Sequence, residues 1–271
     1  MELQPAAWAE QQFGSAALGD RRRTRRVVAM AGAMVSNPRA SLPEQLPDWA
    51  SLKAAYRVLD AEEVSHAALL APHWEQTRRA AGQETVVLLV QDTTEVDFTA
   101  HPKTRGLGPI GNGKGAGILV QSVLAVAPAT RQVVGLAYQE PFLRQAAPKG
   151  ESCAQRRKRD RESQVWLRAI AAVGGPPPHR RWVQVGDRYA DMWGFFTTCA
   201  QHGCDFLVRA AQDRRAHAGA SAEIGHLFAA LPTLPAYGQR DLEVPAQQGR
   251  PKRTATLAIQ ADCNRARHVR R

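Results

Sequence analysis

Downstream of Asp20, apolar side chains fall at Val27, Val28, Ala31 and Val35, a spacing of three to four residues that predicts a helix with Asp20 at its N-cap. Arg22, Arg25 and Arg26 then lie opposite the apolar stripe. A proline-containing loop over 37–48 leads to a second predicted helix through Lys53, Ala54, Ala55, Tyr56 and Arg57, with Tyr56 expected in the core. From Thr85 the pattern changes to short apolar runs, which predict strands at 86–98, 118–127, 132–139, 182–185 and 205–209. Helices are expected at about 155–173 and 190–202, and Gly174-Gly175-Pro176-Pro177-Pro178 punctuates the chain between the first of these and the next strand. Three strands, a helix, then alternating strand and helix describe a mixed sheet whose first and fourth strands lie side by side.

These patterns divide the chain into a helical region at 1–79, an α/β core at 80–212 and a proline-interrupted region at 213–271, where short apolar stretches such as 254–259 read as strands. With 271 residues, the chain is long enough for two or three cored domains. Its net charge of +11 favours a polyanionic partner, nucleic acid first. Four cysteines in this length, without an apolar leader at the N-terminus, point to a reducing cytoplasm, and no apolar run is long enough to cross a membrane. Cys199, His202 and Cys204 are near enough in sequence to suggest zinc, but a structural site needs four ligands, so buried thiols are the competing assignment.

Two of the predicted strands deliver a carboxylate at their C-terminal ends, where open α/β sheets hold ligands. Val86 to Val90 runs into Gln91-Asp92-Thr93-Thr94-Glu95, and Trp182 to Val185 runs into Gly186-Asp187-Arg188-Tyr189-Ala190-Asp191. Side-by-side first and fourth strands would bring Asp92 and Asp187 together across 187 − 92 = 95 residues. Paired carboxylates suit hard divalent cations such as Mg²⁺ and Mn²⁺. Asp191, one helical turn on, is expected to order a helix start. Gly108 to Lys114 fits the opening of a phosphate-binding loop, but Gly115 stands where Ser or Thr is needed and a strand follows, so no nucleotide cofactor is expected. The run Arg156, Arg157, Lys158 and Arg159 is read as a solvated helix face, with DNA binding as the alternative.

In order along the chain stand Leu18-Gly19-Asp20-Arg21-Arg22-Arg23-Thr24, Ala54-Ala55-Tyr56-Arg57, Gln91-Asp92-Thr93-Thr94, Gly106-Leu107-Gly108, Ser122-Val123-Leu124, Glu162-Ser163 with Trp166, Gly186-Asp187-Arg188 with Ala190-Asp191, and Phe206-Leu207-Val208-Arg209. This ordered set resembles the Tn-five-like, insertion-sequence-four family of bacterial DDE transposases, from Trp8 to about Arg215. The resemblance implies an N-terminal helical DNA-binding domain, a ribonuclease-H-like mixed-sheet core and the start of a β-rich insertion. It implies cut-and-paste DNA strand cleavage and transfer with two Mg²⁺ or Mn²⁺ ions, Asp92 bridging both and Asp187 holding one. Arg22, Arg23, Arg26 and Arg57, with Lys53, become expected contacts to double-stranded transposon-end DNA, and Arg209 an expected contact near the active site.

The family places its third carboxylate on a late helix in a Tyr-x-x-Arg-x-x-x-Glu pattern. Here Tyr237-Gly238-Gln239-Arg240 and Glu243 imitate that pattern one residue short, between Pro235 and Pro245. The expectation is therefore a C-terminally truncated, inactive cytoplasmic copy associated with the nucleoid. The alternative is a non-catalytic regulator that occupies transposon ends and opposes, or pairs with, full-length transposase.

Overall fold

The structure, a computed structural model, describes residues 4–145, 148, 150–152, 154, 155, 161–217, 224–233, 236–247 and 249–260. Among them the chain forms two compact units, 1–208 and 209–271.

The first unit begins with five helices: α1 (Pro5–Phe13), α2 (Arg21–Ser36), α3 (Leu42–Gln45), α4 (Trp49–Leu59) and α5 (His66–Ala81). Side chains that accept the orphan amides of the first turn set where the longer ones start. Asp20 accepts from Arg22 N at 2.8 Å, Asp48 from Ser51 N at 2.8 Å, and Ser65 from Ala68 N at 3.2 Å. Leu18, Val27 and Val58 form one small core between these helices, and Met30, Leu46 and Ala55 form another.

The sheet follows, with β1 (Val86–Asp97), β2 (Gly108–Ile110), β3 (Gly115–Ala127), β4 (Gln132–Phe142), β5 (Arg181–Gly186) and β6 (Asp205–Val208). Its order is β2-β3-β1-β5-β6, with β4 also on β3; β1 pairs antiparallel with β3 and parallel with β5. The mixed sheet and the adjacency of β1 to β5 agree with the hydrophobic pattern; β2 is an addition to it. The Gly-rich segment is the turn between β2 and β3 and runs into a strand.

Helices α6 (Gln164–Val173) and α7 (Trp193–Gln201) cover one face of the sheet. Helix α6 starts later than expected, and the basic run at 156–159 lies outside the described residues. Val87, Leu89, Val123 and Ala125 on the sheet pack with Val165, Trp166 and Ile170 of α6 and Phe195 and Cys199 of α7. Each large side chain buried this way contributes about 1.5–3 kcal/mol.

Within that apolar face runs a line of buried amides. Thr93 Oγ1 donates to Gln121 Oε1, Gln121 Nε2 to Gln91 Oε1 at 3.0 Å, Gln91 Nε2 to Gln184 Oε1 at 2.9 Å, and Gln184 Nε2 to Cys204 Sγ at 3.9 Å. The line starts on β1, steps to β3, and from Gln121 onward runs in one direction through β1 and β5 to end just before β6. Buried amides are costly unless paired, so the correct neighbour for each strand is the one that completes the line.

The helical layer meets the sheet through His73. Its Nε2 accepts from Leu136 N of β4 at 3.2 Å, which leaves Nδ1 protonated to face Gln12 Oε1 of α1 at 2.6 Å. Burial holds the imidazole below its usual range.

The second unit is β-rich among its described residues. Strands β7 (Arg215–His217) and β8 (Ile224–His226) pair antiparallel, a short helix α8 (Leu227–Ala230) follows, and β9 (Ala236–Val244) pairs antiparallel with β10 (Arg253–Gln260).

Two outcomes follow from this packing. Replacing Gln91 by Leu strands a donor on Gln121 and an acceptor on Gln184, so it should lower unfolding stability by on the order of 3 kcal/mol. The readout is the urea midpoint at unchanged slope, and the triple variant Gln91→Leu, Gln121→Leu, Gln184→Leu should lose less than the single one. For His73, protonation destroys the acceptor, so its contribution is full above the unfolded pKa and is lost as pH falls below about 6.5. Urea midpoints between pH 8 and pH 5 should fall less steeply in His73→Leu than in the parent chain.

Candidate functional site

The ladder between β1 and β5 runs from Val86 opposite Arg181 to Val90 opposite Val185, a constant offset of 181 − 86 = 95. Asp187 is the residue after the last of β5, whereas Asp92 lies within β1 and not at its C-terminal end as expected, because β1 continues to Asp97. Side chains alternate along a strand, so Asp92 lies on the face opposite the Gln91 line. Both aspartates are exposed. Gly186 makes the approach to Asp187 possible: a Cβ there would sit 2.4 Å from Ala190 Cβ and 3.2 Å from Trp166 Cζ3. The chain then turns tightly, and Asp187 Oδ1 accepts from Tyr189 N at 2.8 Å to cap the 3₁₀ turn Arg188–Ala190. Asp191 is buried and the N-cap of α7 is Met192, so Asp191 does not start that helix as expected.

Two exposed carboxylates offer oxygen donors of the kind that Mg²⁺ and Mn²⁺ prefer. Among the described residues no group of three or more His, Cys, Asp or Glu side chains could hold a metal ion. Glu95, on the same strand, is occupied elsewhere: it accepts from Gly111 N at 2.9 Å and from Arg144 Nη2 at 3.4 Å. Arg144 also forks onto Glu162, with Nε to Oε2 at 2.8 Å and Nη2 to Oε1 at 3.2 Å, and donates to Gly111 O at 3.1 Å. This guanidinium ties the far end of β1, the glycine turn and the approach to α6 into one cluster. The sequence marks Glu162 within a motif but not its partner, because nothing local links positions 144 and 162.

Cys199 and Cys204 are buried thiols. Burial pushes Cys199 up to about 12, and Cys204 upward as well, the opposite of what a thiolate ligand needs. Tyr237, Arg240 and Glu243 lie on the extended strand β9, not a helix, and Glu243 Oε2 pairs with Lys252 Nζ at 2.7 Å. Arg209 is exposed and is the first residue of the second unit.

The expected phosphate contacts on α2 and α4 divide into exposed and engaged side chains. Arg22, Lys53 and Arg57 are exposed. Arg23 Nη1 donates to Leu18 O at 3.0 Å and pairs with Glu63 Oε1 at 3.1 Å, whereas Arg26 Nη1 donates to Ser51 Oγ at 3.3 Å. Tyr56 is not a core residue: it is 50% exposed, and Trp49, one turn before Lys53, is 70% exposed. Trp49, Lys53 and Tyr56 follow at intervals of four and three and so line one open face of α4, with Arg57 beside them. The helix buries Ala55 and Val58 instead, so its apolar stripe is set by the small residues, not by its aromatics.

Residues 5–64 match the transposase DNA-binding family. The matched span holds α1 to α4, and with them every basic side chain named on those helices. Among solved structures, the Mos1 strand transfer complex aligns at 14% identity over 67% of this chain and 57% of that one, with a TM-score of 0.21. This chain therefore spans less than two thirds of that chain, and so loose a superposition carries no weight for fold or activity. No helix among the described residues is long and apolar enough to cross a membrane.

The two neighbouring arginines of the transposase DNA-binding segment should separate on substitution. Arg23→Ala removes a carbonyl partner and a partly exposed ion pair and should cost about 1 kcal/mol. Arg22→Ala should stay within about 0.5 kcal/mol of the parent. Thermal unfolding of the two variants checks this difference.

Proposed function

We propose that the chain is a DNA transposase of the Tn-five-like, insertion-sequence-four kind, with a helical end-binding segment followed by a ribonuclease-H-like core. The observation that carries the proposal is the transposase DNA-binding match at 5–64, and the parallel pairing of β1, which holds Asp92, with β5, which ends just before Asp187, supports it. The sheet order supports the core assignment, since its first long strand is flanked by an antiparallel and a parallel neighbour.

In this reading Arg22, Lys53 and Arg57 neutralise phosphates of duplex transposon-end DNA, and Trp49 and Tyr56 lie against its sugars or bases. Asp92 and Asp187 would hold Mg²⁺ or Mn²⁺. When bound, a divalent pair supplies activation of the attacking oxygen and stabilisation of the leaving 3′ oxygen. The protein would contribute by presenting the two carboxylates from neighbouring interior strands, Asp92 from β1 and Asp187 from the turn after β5. A non-catalytic end-binding regulator of full-length transposase is the second reading, favoured by the confinement of the family match to the DNA-binding segment.

The test uses the whole chain with duplex DNA from the ends of the element that encodes it. Affinity should fall steeply with salt, and replacing Arg22, Lys53 and Arg57 together by Ala should reduce the logarithmic salt slope by about 2 to 3. Strand cleavage in Mn²⁺ that is lost in Asp92→Ala and in Asp187→Ala assigns the enzyme. End binding kept by both variants, with no cleavage by the parent chain, assigns the regulator. Binding that ignores salt overturns both.

A further inference from the structure

Strand β1 outruns its parallel neighbour. Its last pair with β5 is Val90 with Val185, whereas its pairing with β3 continues to Asp97 opposite Gly117. At a strand rise of about 3.3 Å per residue, the 97 − 90 = 7 residues past that pair carry β1 roughly 23 Å beyond it. Among the described residues no strand covers this length of β1 on its β5 side. Burial records the change: residues 86–91 alternate between half-buried and buried, whereas Asp92, Thr94, Glu95, Val96 and Asp97 are all exposed. The far ends of β1 and β3, with β2, therefore form an arm that projects past the end of β5.

The tip of the arm is tied to its ladder and carries charge of one sign. Phe98 N donates to Ala116 O at 2.9 Å, Thr99 Oγ1 accepts from Ala116 N at 3.0 Å, and Gly113 N donates to Ile110 O at 2.9 Å. Gly117 lets the strands close, since a Cβ there would collide with Val96 O and stand 3.0 Å from Ile110 Cδ1. Residues 98–115 contain Lys103, Arg105 and Lys114 and neither Asp nor Glu. All three cations are exposed, and among the described residues none is paired with a carboxylate. The acids at the base of the tip are engaged: Glu95 faces Gly111 N and Arg144, and Asp97 Oδ1 accepts from Thr99 N at 2.7 Å. Lys103 and Arg105 belong to the connection from β1 to β2 and Lys114 to the turn from β2 to β3, so all three stand at one end of the sheet. The backbone there is open as well, because a Cβ at Gly106 or Gly113 would meet nothing within 4 Å.

We propose that the tip of this arm is a second contact to duplex DNA, in which Lys103, Arg105 and Lys114 neutralise backbone phosphates beyond those met by α2 and α4. This rests on the reading of the chain as a binder of duplex DNA, but not on its being a nuclease. The arm lies outside the span 5–64 that matches the transposase DNA-binding family, so it is a separate surface on the α/β core. Three unpaired cations on a hydrogen-bonded turn suit a polyanion, and they offer no apolar area to a neutral partner. Phosphate contacts carry no base information, so the arm would fix the path of the duplex across the core and add affinity without reading sequence.

The experiment titrates the full chain against duplex DNA from the element's ends over a range of salt, with thermal midpoints recorded beside it. Replacing Lys103, Arg105 and Lys114 together by Ala should reduce the logarithmic salt slope by about 2 to 3 with the midpoint little changed. The triple variant Lys103→Arg, Arg105→Lys, Lys114→Arg, which keeps every charge, should hold the parent slope. In the parent chain, bound duplex should also shield Lys103 and Lys114 from acetylation, read by mass spectrometry. An unchanged slope in the alanine triple, beside a lowered one when Arg22, Lys53 and Arg57 are replaced, overturns the arm contact and spares the DNA-binding reading. A parent chain without salt-dependent binding removes both. Lysines acetylated equally with and without DNA, or a slope lowered as much by the charge-keeping triple as by the alanine one, overturn the arm contact as well.

Discussion

Two strands far apart in the chain, 86–97 and 181–186, must lie parallel and in one register before Asp92 and the turn after β5 can take their places. Apolar contacts alone would tolerate a slip of two residues, because such a slip keeps every side chain on its own face. The glutamine line does not tolerate it. Gln91 meets Gln184 through a single bond at 2.9 Å, and a two-residue shift would leave buried amide groups on both strands without partners. The register of β1 against β5, and with it the level at which Asp92 and the turn after β5 stand, is therefore held by polar bonding on the inner face.

Charge is distributed with the same economy. The chain carries +11 overall, yet several arginines are spent on holding it together: Arg23 on Leu18 and Glu63, Arg26 on Ser51, Arg144 on Glu95 and Glu162. On α4 the exposed Lys53 and Arg57 stand beside Trp49 and Tyr56 instead of forming a uniform basic face. Such a surface offers both charge for a polyanion and flat apolar area for its rings and sugars.

Much of this was legible beforehand. Asp20 is an N-cap because its side chain suits the first amides of the apolar-periodic helix that follows, the strand at 86 announces itself by a continuous valine- and leucine-rich run, and the strand at 181 by Trp182, Val183 and Val185. What escaped depended on partners remote in sequence. Gln91, Gln121 and Gln184 look like polar strand residues bound for solvent until three strands are laid side by side. Tyr56 looks like core until Ala55 and Val58 are seen to take that side of the helix. Helix α6 starts at Gln164, just after Glu162 meets Arg144, a tertiary contact that local propensity does not contain. The candidate carboxylates were visible in their motifs; the hydrogen bonds from His66 to Gln139 and from Gln139 to Ser122 were not, because the three residues come from three separate elements.

The 95-residue separation of β1 and β5 also orders events as the chain is made. Strands β1, β3 and β4 are consecutive antiparallel neighbours and can assemble from local hairpins, whereas the other edge of β1 must wait for β5 to leave the ribosome. Until then β1 is an open edge strand, with its valine-rich backbone unpaired and the Gln91 amide turned toward water. Parallel pairing across so long a loop is slow compared with hairpin closure. The nascent protein thus passes through a stage in which its central strand is its most adhesive surface, and conditions that delay arrival of residues 181–186 should favour association between chains over completion of the sheet.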